Sequence, residues 1–194
     1  MNKQILEKYY LKQRKSVSDI SKILNKSESG INYWIKKYGI PKRTISDAIY
    51  LKHNPKGDPF ELRKIKTLEL AELKGFGLGL FWGEGNKKNK TSVRIGNTDH
   101  NLIKKFIEFL VRICKINKND LRFSLQIFSD INPIEAKNFW KNNLKIKERQ
   151  FSKKITVSIS KKAGNYKNKM KHGVLTVYYH NKKLRDIIVS MLPK

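Results

Sequence analysis

Between Glu72 and Gly85 the chain reads ELKGFGLGLFWGEG, an apolar run of helical length that holds five of the protein's eleven glycines. Each glycine costs a helix interior up to about 1 kcal/mol relative to alanine. Gly75, Gly79 and Gly83 recur every four residues, with Gly77 between them, so one face of the helix carries no side chains. Such a face lets another helix backbone approach closely, as small-residue faces do in membranes. This stretch is too short and too closely flanked by charge to span a bilayer. The expected partner is the same helix of a second copy, packed about a two-fold axis, with Gly75, Gly79 and Gly83 as the dimer interface. Glu84 falls at the C-terminal end, where the helix macrodipole disfavours a carboxylate. Pairing would bring two Glu84 side chains together, an arrangement suited to a divalent cation.

Charge narrows the partners. There are 43 Lys and Arg against 16 Asp and Glu, a net charge of +27, which implies a polyanion and most simply nucleic acid. An anionic membrane is the weaker alternative, because no long basic amphipathic helix appears. With 194 residues and 39% hydrophobic side chains, the chain can hold one ordinary domain and a small one around real cores. Cys114 lies in the apolar run FIEFLVRIC, reads as a core residue and has no internal disulfide partner. No signal-peptide core and no run of 18 apolar residues is visible. The chain is therefore expected to be soluble and cytoplasmic, associated with the nucleoid.

Residues 1–40 read as three short helices. Ser16 with Asp19 resembles a capping box ahead of Ile20, Ile23 and Leu24. Ser27 caps a third helix with Ile31, Trp34 and Ile35 inward and Gly39 as its stop. Three compact helices with a four-residue turn between the second and third describe a helix-turn-helix. The stretch SVSDISKILNKSESGINYWIKKYGI also resembles the helix-turn-helix of resolvases and many bacterial regulators. On that reading Glu28, Ser29, Asn32, Tyr33 and Lys36 form the DNA-facing side of the third helix. A helical bundle with a merely solvated basic face is the alternative. Residues 41–57, with two prolines and a glycine, read as a partly ordered linker. Residues 1–57 carry 13 basic and 4 acidic side chains, net +9; residues 58–194 carry 30 and 12, net +18.

The second block alternates strands with helices. Asp58 and Pro59 are expected to open a helix that runs on to the glycine-rich stretch. Further on, apolar and polar residues alternate with the period of half-buried antiparallel strands. Val93 and Ile95 oppose Arg94. Leu121, Phe123, Leu125 and Ile127 oppose Arg122, Ser124 and Gln126. Ile155, Val157 and Ile159 oppose Lys154, Thr156 and Ser158, while Leu175 and Val177 oppose Thr176 and Tyr178. The polar members form an open face without carboxylates, suited to phosphates and base edges. The expected fold class is α+β: an N-terminal three-helix unit, then an antiparallel sheet covered on one face by helices. The basic loop SKKAGNYKNKMKHG reads either as a phosphate clamp or as a solvated hairpin. His53, His100, His172 and His180 have no zinc-site spacing and read as surface or turn residues.

Gly77-Leu-Gly-Leu-Phe-Trp-Gly-Glu-Gly85 resembles the signature of LAGLIDADG homing endonucleases, and the likeness extends over roughly residues 65–192. Gly79 and Leu80 match the motif's central Gly-Leu, Gly83 its small residue, and Glu84-Gly85 its Asp-Gly. The resemblance implies a homodimer through the motif helices and metal-dependent hydrolysis of duplex DNA. Glu84 would be the catalytic, metal-binding acid, Gly85 a further ligand through its carbonyl, and Mg²⁺ the cofactor. Glu84 replaces the commoner Asp, Trp82 stands where an acid is frequent, and the strand after the motif looks truncated at NKKNK. An extra strand–helix unit around Trp140 is expected to replace that hairpin. Non-cleaving regulators resemble the same scaffold, so a sequence-specific regulator and an intron-derived RNA-splicing factor stay open as alternatives. No membrane or small-molecule partner is expected.

Overall fold

A computed structural model describes residues 1–159 and 171–193. The chain divides into two compact units, Met1–Asp58 and Pro59–Lys194, each with its own core. The first unit contains α1 (Lys3–Glu7) running into a π-helical turn (Lys8–Lys12), α2 (Val17–Leu24), α3 (Glu28–Lys37) and α4 (Ile45–His53). Ser16 and Asp19 form the full reciprocal capping box, so two N-terminal amides of α2 are satisfied by side chains. Asn25 turns left-handed at φ 48°, and three residues join α2 to α3. Gly39, at φ +64°, ends α3, with the Ile40 amide reaching back to the Ile35 carbonyl at 3.0 Å. Leu6, Tyr10, Ile20, Ile31, Ile35 and Ile40 fill the core, whereas Ile23, expected inside, is 47% exposed. The expected linker is corrected too. Arg43 donates to the Tyr10 and Lys15 carbonyls and lies over the Tyr10 ring, and Thr44 caps α4.

The second unit is α+β. A single four-stranded sheet is built from β1 (Val93–Asn97), β2 (Arg122–Phe128), β3 (Thr156–Ser158) and β4 (Val174–Tyr179), in the order β1-β4-β2-β3. The β1–β4 and β4–β2 pairs are antiparallel, but β3 runs parallel to β2, so the sheet is mixed rather than wholly antiparallel. A parallel neighbour needs a crossover, and α7 (Pro133–Leu144) lies between β2 and β3 in the chain, with Trp140 fully buried. The unit around Trp140 thus extends the β2 edge and does not replace the hairpin after the motif. After the glycine-rich helix, Gly85 bridges Ile95 and the Asn86 amide donates to the Arg94 carbonyl at 3.1 Å. Helices α5 (Leu68–Glu84), α6 (His100–Arg112) and α8 (Lys182–Ser190) complete the unit. Residues 59–67 are not helical, contrary to expectation. They run extended, with the Glu61 and Arg63 amides bonded to the Cys114 and Ile113 carbonyls, and Thr67 caps α5. Cys114 is fully buried, and burial pushes its thiol up to about 12, so it behaves as a core residue.

Candidate nucleic-acid interface

The open face of the sheet is ordered by register. Tyr178 pairs with Arg94 on one side and Arg122 on the other, which places the three in a row across β1, β4 and β2. The next row is Gly96, Thr176 and Ser124, and the next brings Gln126 beside Thr156. Gln126 also donates to the Ser158 hydroxyl at 3.2 Å. On the opposite face Val93, Ile95, Phe123, Leu125, Leu175 and Val177 are buried, as the alternation predicts. The pattern fails at β3. Val157, on this short edge strand, is 56% exposed, and Ile159, just past it, is 84% exposed. Lys154 is exposed but precedes the strand and holds no place in the register. Arg122 turns its guanidinium onto the Asn119 and Leu121 carbonyls, which anchors it at the sheet end.

An open depression of about 430 Å³ lies on this face, lined by Asn86, Arg94, Ile95, Gly96, Ser124, Thr176, Tyr178 and His180. His180 is the residue that sequence reasoning missed. It stands one position beyond β4 and continues the Thr176–Tyr178 alternation, so extending that period by one step would have found it. Partial burial, then Arg94 and Arg122, hold its imidazole below the usual histidine pKa.

The glycine helix divides by face. A Cβ at Gly77 would stand 2.1 Å from Phe109 Cγ, so this glycine permits the close approach of α5 to α6. Gly75, Gly79 and Gly83 meet nothing within 4 Å. They lie on an exposed face with Leu68, Phe76 and Trp82, which are 75%, 50% and 56% exposed. An apolar helix face open to solvent is unusual for a lone domain. Glu84 is the last residue of α5 and is exposed, and Lys87 donates to the Trp82 carbonyl near the same helix end. Among the described residues no group of three or more His, Cys, Asp and Glu could hold a metal ion.

On α3, Glu28, Ser29, Tyr33 and Lys36 are exposed as expected. Asn32 is half-buried. Its amide donates to the Glu28 carbonyl at 3.0 Å and its Oδ1 is buried without a partner, so it is not a free reading group. Trp34 packs at 5.2 Å from Tyr38, with the Lys37 ammonium 4.8 Å from its ring. Most of the basic loop, residues 160–170, lies outside the described residues. No described helix is long and apolar enough to cross a membrane. Comparisons with family models, with curated proteins and with solved structures find no match to this chain.

Proposed function

We propose that this protein binds duplex DNA as a homodimer, through the open sheet face and a helix-turn-helix made by α2 and α3, on a LAGLIDADG-type scaffold. One observation carries the reading. The register aligns Arg94, Tyr178 and Arg122, then Thr176 and Ser124, then Gln126 and Thr156, on a face whose outward strand positions include no carboxylate. Such rows present cations to phosphates and neutral donors and acceptors to base edges. The bare face of Gly75, Gly79 and Gly83 supports pairing of two copies through α5. In the first reading the pair hydrolyses the DNA backbone at Glu84. Mg²⁺ prefers six oxygen ligands, and among the described residues of one chain no group of three or more His, Cys, Asp and Glu could hold it, so a second copy, water and the substrate phosphate would complete the donor set. If bound, the ion would stabilise charge on the reacting phosphate. Glu84 and the Gly85 carbonyl are the atoms of this chain that would hold it.

A second reading is a sequence-specific regulator that does not cut; among the described residues Glu84 belongs to no group of three or more His, Cys, Asp and Glu that could hold a metal ion. The experiment that decides is selection of duplexes from a random pool, followed by incubation with Mg²⁺ or Mn²⁺. Cleavage of the selected duplexes supports the endonuclease; tight binding without cleavage in either metal leaves the regulator.

A further inference from the structure

The depression on the sheet face is built to greater detail than general basicity requires. Ser92 is fully buried, and its hydroxyl is committed on both sides, donating to Asn89 Oδ1 at 3.0 Å and accepting from Arg94 Nε at 3.0 Å. Asn89 Oδ1 also accepts the Ser92 amide at 2.9 Å, which fixes the serine in place. Arg94 is thereby oriented from behind, and its guanidinium lies 5.7 Å from the Tyr178 ring centroid. A preoriented arginine loses little conformational freedom when it grips an anion. The floor is kept open by Gly96, since a Cβ there would meet Thr176 Oγ1 at 2.9 Å. His180 stands at the rim, 5.0 Å from Tyr178 by ring centroids. No carboxylate lines the depression, while Asn86, Ser124, Thr176 and Tyr178 offer neutral donors.

We propose that this depression seats one phosphodiester of the bound DNA backbone, gripped by Arg94 and by His180, with Ser92 and Asn89 as positioning residues. The inference rests on the duplex-binding reading and assigns a specific contact within it. At about 430 Å³ the space falls in the lower part of the range of small-ligand sites, roughly 300–1,000 Å³, and is larger than a bare ion needs. An anion entering there would offset the repulsion that Arg94 and Arg122 exert on protonated His180.

The test uses the full chain and a duplex it selects from a random pool, remade with single neutral methylphosphonate links at each position in turn. One link per bound chain should weaken wild-type binding at least about tenfold, the scale of one charge-assisted hydrogen bond. His180→Gln and Arg94→Gln should lose similar affinity and no longer respond to that link, as in a double-mutant cycle. Gln126→Ala should keep the response. His180 is exposed, so above pH 6.5 its variant should melt with the wild type. An equal response to the link in wild type and in His180→Gln overturns the seat while leaving duplex binding intact. A wild-type chain that selects no duplex overturns the underlying reading itself. Inorganic phosphate is the control probe. Competition with the duplex for the His180 imidazole signal is expected, and simultaneous occupancy by both would overturn a backbone contact.

Discussion

A Cβ added at Gly77 would collide with the Phe109 ring, whereas one at Gly79 meets nothing within 4 Å. Gly77→Ala should therefore destabilise the second unit by about 1–3 kcal/mol or more through overpacking. Gly79→Ala, in open space within one copy, should stabilise α5 of the unpaired chain by about 0.5–1 kcal/mol by lowering the backbone entropy lost on folding. Thermal unfolding of the two variants checks both signs. At Glu84, Gln retains size but removes the charge. In the endonuclease reading Glu84→Gln should bind duplex as the wild type does and cut at least about 100-fold more slowly. His180 supplies a pH dependence. Its folded pKa lies below the usual 6.5, so the unfolded chain protonates first as pH falls. Its contribution to stability is fully present above pH 6.5 and is lost as pH drops below that value towards the folded pKa. The charged and titratable groups named around it, Arg94, Arg122 and Tyr178, offer no acid to reverse the sign. His172 shifts in the same direction, so comparing wild type with His180→Gln across pH isolates the His180 share.

Single elements carry their own signals. The Ser16–Asp19 box satisfies the start of α2. Ser16→Ala should cost the first unit about 1 kcal/mol, read as a lower denaturant midpoint. The α5 helix reads as uniformly apolar, yet only one of its faces packs within the unit. Leu70, Leu73, Gly77 and Phe81 are buried within the unit, and Leu68, Phe76 and Trp82 are left outside it. Replacing Gly79 by Leu fills the bare face, which should block pairing while leaving the unit folded. Sedimentation at micromolar concentration distinguishes the two species. A wild type that stays monomeric removes the role proposed for the glycines.

Across the molecule, both units are strongly basic, and each is a separate compact body. Deleting residues 1–58 should weaken duplex binding and flatten its dependence on salt, because fewer condensed counterions are released. A slope of log K against log salt that the deletion leaves unchanged would remove α2 and α3 from the interface. The cut belongs after Asp58, where the first unit ends, since Arg43 bonds to Tyr10 and Lys15 and so ties residues 41–57 to the helices before them.

Local periodicity was enough to sort the side chains of β1, β2 and β4 between two faces, because alternation depends only on the extended backbone. It likewise placed the Ser16 and Ser27 caps and the Gly39 stop, whose hydrogen bonds close within a few residues. Where neighbours come from distant parts of the chain, sequence was silent or misleading. Insertion of β4 between β1 and β2 makes Arg94, Tyr178 and Arg122 a row, and only long-range pairing chooses that order. Val157 pairs with buried Ile127 yet is exposed where alternation called for burial, because β3 falls at the edge of the sheet. Among the helix glycines, contact with Phe109 singled out Gly77 and left Gly75, Gly79 and Gly83 bare, although all share one local chemistry. Alternation extended by one step puts His180 on the open face, but that it lines one depression with Arg94 was decided by the β1–β4 pairing. Backbone period and capping are short-range properties written in adjacent residues, whereas register, strand order and close helix approach depend on which distant surfaces bury each other.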